Sequence, residues 1–233
     1  PFGNLKSLKV GGDLGTPAGG EVLVDGQVGK IAVGGDFLAD FYLNYYPQPV
    51  TPGNPDGGFV AYPGREGIEL KSMVVGGQIR GIGHIGGDVK LISSGGEFGV
   101  PGSLLHVYGD LKTFAVGSKK GMADLESSLI VDGDLGKMTV YGNVNGQINV
   151  VQDFTSLTLI GGQTADTRAD LNASITVGGD FDKLKIINGD ISETDVVDGG
   201  LLTIDVNGEG PKITIKGSDI DGLLRDGGAG QQP

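Results

Sequence analysis

The sequence predicts an all-β fold, a right-handed parallel β-helix (solenoid) with about three strands in each rung. A short apolar repeat recurs along the chain, 46 of the 233 residues are glycine, and the apolar residues are mainly Val, Ile and Leu in short runs. Frequent glycine indicates frequent turns and short regular elements, which disfavours a helix bundle. Right-handed coiling is the default for parallel crossovers, so that hand is predicted.

The repeat unit has nine or ten residues and reads V-x-G-D-L-x-x-L-x-V. Its clearest copies run head to tail at 131–140, 140–150 and 150–159. In Lys137-Met138-Thr139-Val140 apolar and polar residues alternate, which is typical of a strand. Gly-Asp predicts a turn, because glycine adopts positive φ and aspartate accepts hydrogen bonds from nearby N–H groups. Each unit is therefore expected to form one strand and one corner.

A longer period sets the predicted rung. Three units fit into 131–159 and three more into 177–206, so a rung of three strands that stacks on its own copies is expected. The sequence predicts one domain at 1–225, interrupted by a long aromatic and proline-rich excursion at 37–69. A flexible Gly-rich tail is expected at 226–233.

The phrases Gly133–Val140 (GDLGKMTV) and Gly142–Val150 (GNVNGQINV) resemble the repetitive solenoid domains of large bacterial surface and adhesin-like proteins. The resemblance covers most of the chain outside residues 37–69. It implies an extracellular or cell-surface location and a structural or adhesive role. Such repeats occur in proteins with many different ligands, so the resemblance does not indicate which ligand is bound.

Composition excludes several classes of function. The net charge of −12 would repel nucleic acid and anionic bilayers unless a local basic patch overrode it, and the longest basic run is only Lys119-Lys120. No nucleic-acid partner is therefore expected. The absence of cysteine excludes disulfides, Cys-ligated zinc, iron–sulfur clusters and thiol nucleophiles. No apolar run approaches the roughly 18 residues of a membrane span, so direct membrane insertion is not expected.

The excursion at 37–69 holds the one dense aromatic cluster of the sequence. Its aromatic rings could stack on a sugar or on a partner protein, because function concentrates on loops that a rigid scaffold carries. In the alternative interpretation they cover the side of the solenoid as a small satellite core. The candidate contact residues are Tyr42, Tyr45, Tyr46, Phe59 and Tyr62.

The acids of the Gly-Asp turns are candidate calcium ligands, because stacked rungs would bring several carboxylates to one corner. In the alternative interpretation each aspartate accepts backbone N–H bonds and needs no metal, and no calcium-repeat nonapeptide is present in good form. No cofactor is required under that interpretation, and Ca²⁺ is the one left open. The residues concerned are Asp13, Asp36, Asp88, Asp110, Asp134, Asp180 and Asp190.

No catalytic residue is predicted. His84 and His106 are the two groups that titrate near neutral pH, they are expected on exposed strand faces, and neither has a neighbouring nucleophile. The paired acids of polysaccharide-cleaving β-helices are not recognisable, since turn chemistry explains both Asp132 and Asp134. Basic residues are scattered along the sequence.

We therefore expect a non-catalytic structural or adhesive module of a cell-surface or extracellular assembly, shaped as a rigid rod. The repeat approaches both ends without a visible cap, which predicts self-association or continuation into neighbouring domains of the same chain. A surface glycan is a further candidate partner. The alternative function is a carbohydrate-binding or polysaccharide-degrading parallel β-helix protein, which would require converging carboxylates and a basic residue.

Overall fold

The computed structural model describes residues 4–24, 26–47, 59–61, 69–163, 167–189 and 204–216, and these residues form an all-β structure. Among them, no helix is long and apolar enough to cross a bilayer. In chain order the strands are β1 (Leu5–Val10), β2 (Glu21–Val24), β3 (Val28–Val33), β4 (Asp40–Leu43), β5 (Tyr45–Pro47), β6 (Phe59–Ala61), β7 (Glu69–Leu70), β8 (Ser72–Val75), β9 (Gly83–Ile85), β10 (Asp88–Val89), β11 (Ile92–Ser94), β12 (Leu104–Val107), β13 (Leu111–Val116), β14 (Ser128–Val131), β15 (Leu135–Val140), β16 (Ile148–Val150), β17 (Phe154–Ile160), β18 (Ile175–Val177), β19 (Phe181–Ile187), β20 (Ile204–Val206) and β21 (Lys212–Lys216).

Two parallel sheets contain nearly all of these strands. The first sheet has 11 strands in the order β1-β3-β8-β11-β13-β15-β17-β19-β21, with the short β7 and β10 beside this path. The second sheet has 8 strands in the order β2-β4-β9-β12-β14-β16-β18-β20. Strands from successive repeats are therefore neighbours within a sheet, and the chain passes back and forth between the two sheets.

The predicted right-handed parallel β-helix with about three strands per rung is wrong. The described residues form two parallel sheets of many short strands. The three predicted units at 131–159 form β15, β16 and β17, but β17 pairs directly with β15 while β16 lies in the other sheet, so two units and not three complete one repeat. Single residues outside the strands pair as isolated bridges, for example Leu125 with Val144. Leu125 is one buried apolar residue between Asp124 and Glu126, so only that residue pairs and turns inward.

Register places like residues above one another. In the first sheet Leu111, Leu135, Phe154 and Phe181 are successive partners, and all four side chains are fully buried. The rings of Phe154 and Phe181 stack with centroids 4.6 Å apart and an interplanar angle of 2°. Burying one such side chain stabilises the fold by about 1.5–3 kcal/mol. One continuous apolar core includes residues of both sheets and of the isolated bridges.

The Gly-Asp turns connect successive repeats through their carboxylates. Each aspartate of the turn before the first sheet accepts a hydrogen bond from the backbone N–H of the equivalent residue one repeat later. We call this series the acid row. Its donor-to-acceptor pairs are Asp110 to Asp88, Asp134 to Asp110, Asp153 to Asp134, Asp180 to Asp153 and Glu209 to Asp180, at 2.8–3.1 Å.

Glycine in these turns makes room for the carboxylate of the preceding repeat. A Cβ at Gly133 would contact the Asp110 carboxylate and would lie 2.8 Å from the carbonyl carbon of Gly109. Real Cβ atoms do not approach backbone so closely, so a side chain here requires the backbone to shift. Gln152 does carry a side chain at the equivalent position, and the hydrogen bond beside it, Asp153 to Asp134, is the longest of the row at 3.1 Å.

The predicted excursion at 37–69 begins inside the stacked sheets. Phe37 and Phe41 are fully buried, and Asp40–Leu43 is a strand of the second sheet. The chain then turns at Asn44, which has φ of 53° and whose side-chain amide donates a hydrogen bond to the Gly86 carbonyl at 2.9 Å. The antiparallel pair β5–β6 follows. The predicted tail at 226–233 lies outside the described residues.

We predict that Gly133→Ala lowers the free energy of unfolding by roughly 1–3 kcal/mol, because the added methyl group overpacks the turn. Gly12→Ala is the matched control, since Gly12 also precedes an aspartate but has open space around its Cβ position. The control should change stability by less than about 0.5 kcal/mol. Urea denaturation measures both, and equal losses for the two variants would contradict the role assigned to glycine.

Candidate functional site: a histidine and tyrosine patch

The structure describes the predicted contact residues unequally. Tyr42 lies on β4 and is half-buried. Tyr45 and Tyr46 lie on β5, and Phe59 lies on β6, in the antiparallel pair that leaves the sheets after Asn44. Tyr62 lies outside the described residues. The structure therefore places Tyr42 in a defined side-chain environment.

That environment is an aromatic cluster on the outer face of the second sheet. Register pairs Tyr42 with His84 and His84 with His106 on three neighbouring strands. The Tyr42 and His84 rings are stacked with centroids 5.7 Å apart, and the His106 and Tyr108 rings are stacked at 3.7 Å. We call these four residues and Asp132, which contacts His106, the His–Tyr patch.

The sequence suggested that His84 lies on an exposed strand face, but the structure buries it within this patch. Its side chain is 6% exposed. Burial, together with the nearby charge of His106, lowers the pKa of His84 to about 4, while Asp40 acts in the opposite direction. His84 is therefore neutral at physiological pH, and it contributes an aromatic surface without a charge.

His106 and Asp132 form a polar pair within the patch. The distance from His106 Nε2 to Asp132 Oδ1 is 3.0 Å, and the two side chains are 18% and 40% exposed. A carboxylate only accepts hydrogen bonds, so Nε2 must carry the hydrogen, and a neutral ring then presents Nδ1 as an acceptor. The pair has the chemistry to accept a proton at His106.

Tyr42 provides a neutral hydroxyl beside these rings. Burial raises the pKa of Tyr42, and the carboxylates of Asp40 and Glu21 raise it further. The phenol therefore stays protonated. Half-buried tyrosine and histidine rings with polar tips are suited to stacking on a sugar ring or on an apolar side chain of a partner.

The predicted calcium ligands lie in the hydrogen-bonded turns. Asp13 accepts the N–H of Asp36 at 2.8 Å, and Asp36 accepts both the backbone N–H and the side-chain amide of Gln78. These two bonds from Gln78, and the charge of Arg80, lower the pKa of Asp36. Asp88, Asp110, Asp134 and Asp180 belong to the acid row, and Asp190 lies outside the described residues.

The acids are spread along the stack, and each of these described candidates has one carboxylate oxygen engaged by a backbone N–H. Within the described part of the chain, no group of three or more His, Asp or Glu side chains is arranged to hold a metal ion. These described acids therefore act as acceptors of turn N–H groups.

Sequence reasoning treated His84 and His106 separately and missed their pairing. The two residues are 22 positions apart, the same separation as that of the hydrogen-bonded Asp88 and Asp110. Aligning GHI at 83–85 with LHV at 105–107 by this separation would have placed both rings at one register. Tyr108 and Asp132 have no comparable sequence signal, since both lie in turns.

Comparison with known proteins gives no family: no family model matches, no curated protein matches, and no solved structure matches.

We predict that His84 makes stability depend on pH. Because its folded pKa of about 4 is below the unfolded value near 6.5, the unfolded state binds the proton more readily. The free energy of unfolding therefore falls as pH decreases from about 6.5 to about 4, by at most about 3 kcal/mol from this residue. Urea denaturation between pH 7 and about pH 4.5 should show a smaller fall in His84→Gln than in the original protein. An identical fall in both proteins would contradict the burial of a neutral His84, and an NMR titration of the imidazole provides a second readout.

Proposed function

We propose that the chain is a non-catalytic structural and adhesive module of a cell-surface or extracellular assembly. The observation that carries this proposal is the regular stacking of repeats, in which each repeat supplies both the apolar partners and the turn acceptors of the next. A stack of this kind gains length with each added repeat and needs no new kind of contact. Extended length with internal order is the property that a structural module requires.

The two ends of the first sheet support association with a further copy or with neighbouring repeats of the same chain. Leu8 on β1 is half-buried, while its partner Ile31 is fully buried. At the other end Ile213 on β21 is 38% exposed, while its partner Leu184 is fully buried. Core positions are thus less covered at both ends of the sheet, and strand edges there are templates for further pairing.

A carbohydrate-active protein is the second candidate, and the His–Tyr patch is the observation that favours it. Stacked rings could hold a sugar, and the His106–Asp132 pair could move a proton. Within the described residues this pair lacks the basic partner and the second carboxylate that a polysaccharide-cleaving site requires. The patch is therefore assigned to contact with a glycan or partner and not to catalysis.

We predict concentration-dependent association of the purified chain, with the average mass in sedimentation equilibrium rising as protein concentration rises. Ile213→Lys should weaken this association. Ile213 is aligned with the buried core residue Leu184 but is exposed at the end of the sheet, and lysine would place a charge there. Val151→Lys is the control, since Val151 is 53% exposed but lies in the middle of the stack. A mass that stays monomeric at every concentration would argue against the stacking role.

The catalytic alternative has a separate readout in the same preparation. Incubation with neutral and uronate-containing polysaccharides should yield no new reducing ends and no unsaturated-uronate absorbance. Product formation that His106→Gln abolishes, and that the exposed substitution Thr176→Ala leaves intact, would replace the structural proposal with an enzymatic one.

A further inference from the structure

The fold collects lysines that are scattered in the sequence on one face. The chain has 13 lysines, and all except Lys119 and Lys120 lie on, or directly between, strands of the first sheet. Their side chains are exposed or half-buried, while the alternate positions of β3, β13, β15 and β19 are buried. The outer face of the first sheet is therefore basic, although the protein as a whole is acidic.

Most of these lysines form a line across the sheet that is interrupted only at β17. When the strands of the first sheet are aligned by their pairing, two adjacent residue positions stand out. At one or the other of them each strand, or the short segment just before it, has one lysine. β17 is the exception and has Thr155 and Ser156 there. Neighbouring strands are about 4.8 Å apart, so positive charges follow at nearly regular intervals. We call this line the lysine row: Lys6, Lys30, Lys71, Lys90, Lys112, Lys137, Lys183 and Lys212.

The central lysines of this row are available to a ligand. Among the described residues, no carboxylate lies within 4.0 Å of Lys112 or Lys137, and both side chains are exposed. The neighbouring acid row directs one oxygen of each carboxylate to a backbone N–H instead. At one end of the row an open groove of about 680 Å³ is lined by Lys6, Lys30 and Lys71.

We propose that the lysine row binds an extended anionic polysaccharide, of the class that carries a uronate carboxylate on successive sugars. Such a chain offers one negative charge per charged ring, which complements a line of ammonium groups that follow one another from strand to strand, with one gap at β17. Its hydroxyls can bond to the serine and threonine side chains beside the row, such as Thr113 and Ser156, and to the second oxygens of the acid row. This binding site is separate from the His–Tyr patch and does not depend on the proposed structural role.

Nucleic acid fits the same face less well. Proteins that bind single strands stack the bases on aromatic side chains, and no aromatic residue lies at an exposed position of the described strands of the first sheet. The row also uses lysine, which binds phosphate as a point charge, and not arginine with its bidentate geometry.

The test measures binding of polygalacturonate fragments at low salt, by calorimetry or affinity electrophoresis, with neutral dextran and a single-stranded oligonucleotide as comparison probes. Long fragments should bind more tightly than short ones, because they contact more of the row, and added salt should weaken binding. The double variant Lys112→Gln/Lys137→Gln should bind the long fragments roughly three- to tenfold more weakly. The variant Lys119→Gln/Lys120→Gln has the same net charge and removes lysines outside the row, so its binding should stay within about twofold.

Three outcomes would overturn the proposal. Equal loss of binding in both double variants would mean that net charge and not the row is responsible. Tighter binding of the oligonucleotide than of polygalacturonate would assign the face to nucleic acid. A lack of binding to every probe would exclude a polysaccharide site, and loss of self-association in Lys112→Gln/Lys137→Gln would then assign the face to a second copy of the chain. Failure of the structural proposal is distinguishable, because it concerns association at the sheet ends and is measured without a polysaccharide.

Discussion

The hydrogen bond from a turn N–H to the carboxylate of the preceding repeat is the constraint on which the structure depends. Backbone N–H groups at turns need an acceptor, and the acid row supplies one from a fixed position one repeat earlier. Glycine beside the bond leaves room for the carboxylate, which occupies the space of a Cβ, and the bond is longest, at 3.1 Å, where Gln152 stands in place of glycine. Together the two residues hold successive strands in a single register.

A fixed register determines the surface as well as the core. Since side chains alternate between faces, a slip of one residue would turn buried residues outward and interrupt every row on the surface. The same pairing that stacks Phe154 on Phe181 inside the molecule also aligns His84 with His106 on one sheet, and Lys112 beside Lys137 on the other. The proposed contact surfaces are therefore consequences of how the repeats stack.

The sequence predicted the all-β composition and the alternation within strands, because period-two patterns and glycine-rich turns are local signals. It did not predict the strand count per repeat, since the three units at 131–159 look alike in sequence, although the first pairs with the third and the second lies in the other sheet. It also missed the lysine row. Lys112 and Lys137 differ by one position within the repeat, so they fall out of alignment in the sequence although both lie on the same exposed face.

Amide hydrogen exchange of the acid row tests the central claim most directly. If the carboxylates accept these N–H groups, the amides of Asp110, Asp134, Asp153 and Asp180 should exchange as slowly as neighbouring sheet amides, although all four residues lie in turns. The amide of the exposed Lys119 provides the reference for a turn outside the row. Exchange of the four aspartate amides as fast as that of Lys119 would contradict the account, because the repeats would then lack the bond that sets their register.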